Sequence, residues 1–278
     1  MSERYPGMLK SGALIVGLAA IAAVVGPWLS PFDPAAQTLS LRLAAPSLAH
    51  PLGLDELGRD ILARVLAGAR ISLLVGFTVV TVSALVGTVL GALAGYYGGL
   101  VDDLISRIID TLLAFPGLLL AIAVVAVLGP SLAHVLMALA AIGWVGYARL
   151  VRGQVLRARE FEYVQAARAL GAGTARILGR HVLPAAIPAV VVQATLGMAG
   201  AIIGEASLSF LGLGVQPPTP SWGTMLNGGR VHILEAPHLT VFPGLAIALL
   251  VLGFNFLGDG LRDWLDPRGV SAAALRGQ

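Results

Sequence analysis

The sequence contains no cysteine and only one lysine, Lys10. Without cysteine there is no disulfide, no thiolate metal site and no cysteine nucleophile. Leu9 precedes Lys10, so the glycine–lysine pair of a nucleotide-binding P-loop is missing, and a GxSxG nucleophile turn is missing as well. The five histidines show none of the short spacings of metal-binding motifs. These absences argue against an ATPase, a serine or cysteine hydrolase and a typical metalloenzyme.

Charge is also scarce. Charged residues make up 12% of the chain, whereas a soluble domain carries about 25%. Hydrophobic residues make up 57%, and the mean hydropathy is +0.86. Such a chain would expose large apolar patches in water, so a bilayer is the better solvent for it. The net charge of only +3 does not favour a nucleic-acid partner.

Uncharged runs predict the fold class, an all-α integral membrane protein with six transmembrane helices. A spanning helix needs about 20 apolar residues, and each run is near or above that length. The runs cover roughly 11–29, 71–95, 111–128, 131–148, 185–204 and 239–257. Gly129-Pro130 predicts a tight turn that divides the uncharged stretch 111–148 into two spans. The first run follows Arg4 and Lys10 and is read as a retained span, with a cleaved signal peptide as the alternative.

The arginines predict the orientation. With six spans, thirteen of the eighteen basic residues fall on one side and five on the other. The larger group is Arg4, Lys10, Arg107, Arg149, Arg152, Arg157, Arg159, Arg168, Arg176, Arg180, Arg262, Arg268 and Arg276, and the smaller is Arg42, Arg59, Arg64, Arg70 and Arg230. The positive-inside rule then places both termini in the cytoplasm. Arg64 and Arg70, close to the second span on the outside, fit this rule least well.

Two long loops, about 30–70 and 206–238, are predicted outside. The second contains QPPTPSWG, which includes Gln216, Pro217, Pro218 and Trp222 and predicts a rigid, extended segment. We expect it either to contact a partner or gate the outer mouth, or to be a spacer. Glu205, at the outer end of the fifth span, is a candidate gate residue, with a surface anchor as the alternative.

Small residues recur every four positions in the second span, at Ser83, Gly87, Gly91 and Gly95. This spacing lines one face of a helix and allows close approach of another helix. The other helix belongs either to a second membrane subunit or to this chain. The spans contain almost no ionisable residue except His134, so a proton-coupled secondary transporter is disfavoured.

The most polar long stretch is the loop from residue 160 to 184, between two uncharged runs. We predict a short helix over Glu162–Leu170, a break at Gly171-Ala172-Gly173, and a second helix over Ala175–Val182 with Thr174 as its N-cap. Pro184 then begins the next span. The resulting helical hairpin suits a groove on another protein, and a solvated connector is the alternative.

This loop resembles a known family. QAARALGAGTARILGRHVLP, residues 165–184, is similar to the coupling-loop signature of ABC importer permeases. The signature is Glu-Ala-Ala, three residues, Gly, and then a Leu-Pro ending. Gln165 stands where the family has Glu, so that position carries no charge here. The matching residues are Gln165, Ala166, Ala167, Arg168, Gly171, Leu183 and Pro184.

Four further stretches resemble the second permease subunit of dipeptide and oligopeptide importers. They are HPLGLDELGRDILARVLAGARISL, GYYGGLVDDLISRIIDTLLAFPGLLLAI, ASLSFLGLGVQPPTPSWGTML and FNFLGDGLRDWLDPR. The resemblance implies a type I importer fold, with a permease domain at 67–268, an N-terminal region at 1–66 and a cytoplasmic tail at 269–278. It places the protein in the cytoplasmic membrane of a prokaryote.

The resemblance also implies partners. They are a second, similar permease, two cytoplasmic ATPase subunits that bind ATP and Mg, and an external substrate-binding protein. This chain would not be an enzyme and would hold no cofactor or metal. Arg168 would pair with an acidic ATPase residue. The 50–70 region and 206–224 would contact the binding protein or gate the outer mouth.

Several alternatives remain open at this point. The same machine could import a nickel chelate or glutathione rather than di- or oligopeptides. A channel or secondary carrier would work without an ATPase, and a membrane scaffold would not transport at all. Acidic sets at Asp102-Asp103 and at Asp259, Asp263 and Asp266 could hold a metal, although helix capping and subunit contacts explain them more simply.

Overall fold

The structure is a computed structural model, and it describes residues 5–265. Arg4, Asp266, Arg268, Arg276 and the predicted tail 269–278 lie outside the described residues. Within 5–265 the chain is almost wholly helical, and the β-structure there is a single isolated bridge between Leu54 and Asp60.

Five helices are long and apolar enough to cross a membrane, and a bent pair makes a sixth when it is counted as one span. This confirms the predicted all-α, multi-pass architecture. The α-helices are α1 Tyr5–Leu29, α2 Ile61–Tyr97, α3 Gly99–Leu113, α4 Gly117–Leu128, α5 Leu132–Ala158, α6 Glu162–Ala169, α7 Thr174–Ile177, α8 Leu183–Phe210, α9 Trp222–Gly229 and α10 His238–Leu265. Short 3₁₀ turns lie at Leu39–Leu41 and Arg230–His232, and a π-helical turn lies at Leu178–Val182.

The bent pair corrects the third predicted span. The run 111–128 is not one helix, because α3 ends at Leu113 and α4 begins at Gly117 with a bend of 85° between them. Pro116 explains the break, since it has no backbone N–H and disfavours helical geometry at the residue before it. α4 alone has 12 residues and is about 18 Å long, too short to cross a bilayer.

The second span begins earlier than predicted. α2 starts at Ile61 rather than 71 because Asp60 caps it, with its Oδ1 accepting the N–H of Ala63 at 2.8 Å. Arg64 and Arg70 therefore lie inside the helix. The other long helices also extend past the uncharged runs, because polar residues at helix ends lie beyond the hydrophobic window.

Both arginines are bound within the chain. Arg64 is buried and donates to the carbonyl of Pro34 at 3.0 Å, close to the carboxylate of Asp55. Arg70 donates from Nη2 to the carbonyl of Val24 at 2.9 Å and from Nε to that of Ala23. Pro27 has no N–H to offer the Ala23 carbonyl, so Arg70 supplies the missing donor. Both charges therefore serve as hydrogen-bond donors to backbone carbonyls of the segment that precedes α2.

Helix packing gives the molecule two distinct ends. α2 packs along α5, α1 packs against α10, and α8 contacts α2, α5 and α10. At one end, residues 30–60 and 211–237 form a surface that we call the 30–60 face. The 160–184 loop lies at the opposite end of α2, beside Tyr96.

The predicted turn at Gly129-Pro130 is confirmed. α4 ends at Leu128 and α5 begins at Leu132, with Gly129 at a φ of +96°. Ser131 caps α5, and the Nδ1 of His134 lies 2.7 Å from the Gly129 carbonyl oxygen. His134 is therefore part of the turn between two helices.

Candidate functional site

The 160–184 loop begins with α6, which runs from Glu162 to Ala169, close to the predicted helix. Val164 faces inward and is fully buried. Gln165, Ala166, Arg168 and Ala169 are exposed, and Ala167 is half-buried. One side of this short helix therefore packs on the protein, and the other presents small side chains to the surroundings.

A defined turn ends α6. The N–H of Gly171 donates to the carbonyl of Arg168 at 3.0 Å, and the N–H of Ala172 donates to that of Ala167 at 3.0 Å. This pair of bonds is the Schellman motif, which needs a residue in the left-handed region. Gly171 has a φ of +81°, where glycine is favoured. The predicted break thus has a specific geometry that satisfies the last carbonyls of α6.

The tip beyond α6 is apolar and exposed. Leu170 is 88% exposed and stands beside Ala166 and Ala169 on the accessible side. Phe161 and Tyr163, at the start of α6, are also substantially exposed. An apolar patch on an otherwise polar loop is typical of a surface that binds another protein.

A cluster of buried aliphatic side chains holds the loop against the long helices. Val164 of α6 and Ile177 of α7 enter it from the loop. The other buried members come from the ends of α2 and α5 and from the π-helical turn: Ala92, Val151, Val155, Ala158 and Val182. Because such interiors are close-packed and deform little, the loop is attached to three long helices as one body.

Polar contacts supplement this cluster. The Nη1 of Arg159 donates to the carbonyl of Gly95 at 3.1 Å. Gln165 donates from Nε2 to the carbonyl of Glu160 at 3.2 Å, so this side chain lies along its own loop. The hydroxyl of Tyr163 donates to the carbonyl of His181 at 3.2 Å. The first bond joins the end of α5 to α2, and the other two join α6 to the residues just before it and to the π-helical turn.

The second half of the loop differs from the prediction. Thr174 is not an N-cap: Gly173 occupies that position, without a side-chain hydrogen bond, and Thr174 is the first residue of α7. The helix does not end at Val182 either, because α7 continues through the π-helical turn directly into α8. Pro184 is the second residue of α8, and its missing N–H accounts for a local change of hydrogen-bonding pattern. Leu183 packs on the aliphatic cluster.

The small-residue stripe of α2 packs within this chain. A side chain at Gly87 would come within 2.5 Å of the Trp144 carbonyl oxygen. One at Gly91 would meet the Cα of Ala148 at 3.0 Å, and one at Gly95 would meet the carbonyl oxygen of Arg152 at 2.8 Å. Ser83, also buried, donates to the carbonyl of Ala140 at 3.5 Å. This face of α2 therefore packs against α5 of the same chain.

Glu205 lies at the other end of the molecule and is fully buried. Its Oε1 accepts a hydrogen bond from the hydroxyl of Ser209 at 2.6 Å, and the Oγ of Ser209 accepts the N–H of Val215 at 3.2 Å. The surface-anchor alternative for Glu205 is therefore wrong. The side chain instead fixes the start of the loop that follows α8.

That loop separates two kinds of residue that the sequence analysis grouped together. Gln216, Pro217 and Pro218 are exposed, and the Pro217–Pro218 bond is cis. Trp222 is only 3% exposed and donates from Nε1 to the carbonyl of Val65 at 2.9 Å. The expected partner contact of Trp222 is wrong for this structure, because its indole packs between α9 and α2.

Sequence reasoning missed a buried charged network on the 30–60 face. Arg59 donates from Nε to Asp55 at 2.6 Å and from Nη2 to Glu56 at 2.9 Å, and the Nδ1 of His50 lies 2.8 Å from Asp60. Asp55 also accepts the N–H groups of Leu57 and Arg59. The sequence does indicate this network, because DELGRD at residues 55–60 holds four charged residues in a chain where charged residues are scarce.

The metal hypothesis gains no support from the acidic sets. Asp102 binds Arg152 through both oxygens, one at 2.7 Å, and so ties α3 to α5. Within residues 5–265, no three His, Cys, Asp or Glu side chains are grouped so that they could hold a metal ion. Asp266 lies outside the described residues.

Comparison with known proteins agrees with this arrangement. The family model described as the binding-protein-dependent transport system inner membrane component matches residues 87–269. The chain is 48% identical over 271 residues to the dipeptide transport system permease protein DppC of Alkalihalophilus pseudofirmus, covering 96% of this chain and 89% of that protein. It is 51% identical over 266 residues to the glutathione transport system permease protein GsiD of Escherichia coli, covering 95% and 88%.

A third relative, the glutathione transport system permease protein GsiD of Pectobacterium atrosepticum, is 53% identical over 223 residues, covering 80% of this chain and 74% of that protein. The membrane-spanning helices, the 160–184 loop and the similarity along nearly the whole chain all indicate a membrane permease. The chain belongs to the permease subunits of binding-protein-dependent ABC importers and is a multi-pass membrane protein.

Proposed function

We propose that this chain is one of two permease subunits that together form the path for small peptides, with ATP hydrolysis in separate subunits driving import. The observation that carries the proposal is the exposed apolar end of α6 on a loop that is otherwise firmly attached. Leu170 and its alanine neighbours form an exposed apolar patch, and such patches are typical of surfaces that another protein covers.

The loop is suited to transmit movement. Its tip presents Ala166, Ala169 and Leu170, which would fit a groove on an ATPase subunit. Its other side is packed through Val164 and Ile177 onto the long helices. A force applied at the tip would therefore displace helices rather than deform the loop. The pairing of Arg168 with an acidic ATPase residue remains a prediction; its guanidinium is exposed but stacks over Tyr96.

The proposed orientation follows from the arginines. Arg149, Arg157, Arg176 and Arg180 cluster in or next to the 160–184 loop and are exposed, as cytoplasmic charges near membrane helices are. We place this loop and both termini in the cytoplasm of a prokaryote, with the 30–60 face outside. We also propose that the chain consists of an N-terminal region at 1–66, the permease domain at 67–268 and the tail at 269–278.

The relatives support small peptides as the substrate class. One is named for dipeptide transport and two are named for glutathione transport. Glutathione is itself a tripeptide, so both names describe short, charged chains with peptide bonds. Glutathione import is the second candidate function, and the relatives named for it favour it over other solutes.

The mechanism we propose is alternating access. ATP binding closes two ATPase subunits, the loops of both permeases move with them, and the path opens outward to a docked binding protein. The exposed Gln216, Pro217 and Pro218 on the 30–60 face are the proposed contact with that protein. Because coupling between two sites is reciprocal, substrate-loaded binding protein stimulates ATP turnover.

The experiment is uptake into proteoliposomes that contain this chain with its second permease, the ATPases and the binding protein. Labelled dipeptide and labelled glutathione are each offered with and without ATP. The test variant is Gly171→Asp, which forces a side chain into a φ of +81°. The matched control is Gly173→Asp, where φ is −68° at a helix N-cap and aspartate is well tolerated.

We expect ATP-dependent accumulation in the wild type, loss of most of it in Gly171→Asp, and retention of most of it in Gly173→Asp. Which of the two labels accumulates decides between the two candidate substrates. Downhill flux through this chain alone, indifferent to ATP, would contradict the proposal and indicate a channel or carrier.

A further inference from the structure

Tyr96 lies in the last turn of α2, directly beside α6. The guanidinium carbon of Arg168 is 5.7 Å from the centre of the Tyr96 ring, within the range of a cation–π contact. Tyr96 is the second-last residue of α2, and Gly98 already lies outside the helix. The contact therefore joins the end of a 37-residue helix to the short helix at the tip of the loop.

The end of α2 attracts positive charge. The last carbonyls of a helix have no partner within the helix, and the helix dipole places partial negative charge there. Arg159 donates to one of these carbonyls, that of Gly95, at 3.1 Å. Arg168 reaches the same helix end through the ring of Tyr96. Two guanidinium groups from the loop region thus converge on the end of α2.

An open pocket of about 480 Å³ lies at the surface where these side chains meet. It is lined by Tyr96, Arg159, Glu160, Gln165, Arg168 and Ala169. The Tyr96–Arg168 contact borders this pocket and joins α6 to α2 beside the aliphatic cluster that also holds the two helices together.

α2 transmits any movement to α5. The stripe of Ser83, Gly87, Gly91 and Gly95 brings the two backbones into direct contact along several turns. Helices in such contact cannot slide past each other without a clash, so they move together. Arg152 of α5 also binds Asp102 of α3, which extends the same unit.

We propose that Tyr96 is a positioning residue for transport: its ring holds Arg168, so that displacement of α6 moves α2 and α5 as one unit. This inference rests on the proposed function, because it concerns how the loop transmits force. Arg168 belongs to the coupling-loop motif, but Tyr96 does not, since it lies about 70 residues earlier in the chain.

The test uses the complete importer in proteoliposomes and measures peptide uptake per ATP hydrolysed. Tyr96→Leu removes the aromatic face, Tyr96→Phe keeps it, and Arg168→Gln removes the cation. Tyr97→Leu is the matched control, because Tyr97 is the neighbouring tyrosine, is 57% exposed and meets the Tyr96 ring edge-on, with 5.5 Å between the ring centres. The double variant Tyr96→Leu/Arg168→Gln tests whether the two residues act as a pair.

We expect Tyr96→Leu to lower the uptake per ATP by about two- to fivefold, the factor that one cation–π contact accounts for. Arg168→Gln gives the same loss, the double variant gives no more, and Tyr96→Phe and Tyr97→Leu keep the wild-type ratio. Arg168 is on the surface, so we expect Arg168→Gln to assemble and to give a measurable uptake per ATP even if Tyr96→Leu does not assemble.

An unchanged ratio in Arg168→Gln or Tyr96→Leu, or an equal loss in Tyr96→Phe, overturns the inference while wild-type transport leaves the proposed function standing. Failure of the wild-type complex to accumulate peptide with ATP is a different result. It overturns the proposed function, whatever the variants do.

Discussion

The 30–60 face and the 160–184 loop are held in place by different kinds of contact. On and beneath the 30–60 face, buried Asp55 pairs with Arg59 and Arg64, and Glu205 binds Ser209. In the loop, Val164, Ile177 and their aliphatic neighbours form the attachment. The first arrangement rests on buried charged pairs and the second on apolar packing, while both regions expose apolar side chains, among them Leu48 and Leu234 in the first and Leu170 in the second.

The difference teaches how each region responds when a side chain is removed. Removing one member of a buried ion pair leaves an uncompensated buried charge, which is strongly destabilising. An aliphatic cluster beneath an exposed apolar tip gives a firm base and a surface that another protein can cover. In the loop, different residues therefore carry stability and partner binding: the buried ones hold the loop in place, and the exposed ones are available to a partner.

The largest effect is expected at Asp55. Asp55→Ala leaves Arg59 and Arg64 buried without their carboxylate, and breaking a buried pair costs about 3–5 kcal/mol. We expect a strongly lowered melting temperature of the purified protein in detergent. Asp33→Ala, an exposed aspartate on the same segment, is the control and should change little. Equal melting temperatures for both variants would mean that the charged network does not hold this face.

Val164 is expected to follow. Val164→Ala removes two methyl groups from a fully buried position in the aliphatic cluster, which costs about 1.5–3 kcal/mol. Thermal unfolding in detergent measures the loss, and limited proteolysis should show cleavage within 160–184. Cleavage no faster than in the wild type would indicate that the loop is held by its polar contacts instead.

Gly171 tests the turn. Gly171→Ala places a Cβ in the left-handed region, which costs about 1–2 kcal/mol, although no atom stands in its way. Gly173→Ser is the matched control because its φ is −68°, its surroundings are equally open and serine is favoured at a helix N-cap. We expect a lower melting temperature for the first variant only. The comparison fails if both variants unfold at the same temperature.

Leu170 should have the smallest effect on stability and a clear effect on assembly. Leu170→Ala changes an 88% exposed side chain, so the free energy of unfolding stays within about 0.5 kcal/mol of the wild type. Binding of the ATPase subunits to the permease, measured by co-purification at graded ATPase concentration, should weaken. Undiminished binding would show that the apolar tip is not the contact surface.

Much of the fold could be predicted from composition and spacing. Long uncharged runs require helices in lipid, and Gly129-Pro130 marks a turn whatever surrounds it. The break at Pro116 was also readable, since proline interrupts a helix for local reasons, but the uninterrupted hydropathy of 111–128 concealed it. The Asp60 cap that starts α2 is a local signal, but Arg64 and Arg70 in the first turns concealed it, because the distant carbonyls that accept from them cannot be read from the sequence.

The candidate site divides in the same way. The motif around Ala166, Ala167 and Gly171 identified the loop, because a glycine at the end of a short helix has a local conformational cause. The burial of Trp222 and Glu205 depends on contacts with α2 and with the loop after α8, so no local pattern distinguishes them from surface residues. The same holds for Tyr96, whose partner Arg168 is far away in the chain.

The sequence by itself determined that this protein spans a membrane several times, where its helices turn, and which loop carries the coupling motif. These properties arise from hydropathy and backbone preference, which act between neighbouring residues. Only the tertiary structure decided which face of α2 meets α5, which charges are buried, and that the π-helical turn joins α7 to α8. Those depend on packing and hydrogen bonding between residues brought together by folding, and the chain order alone does not specify them.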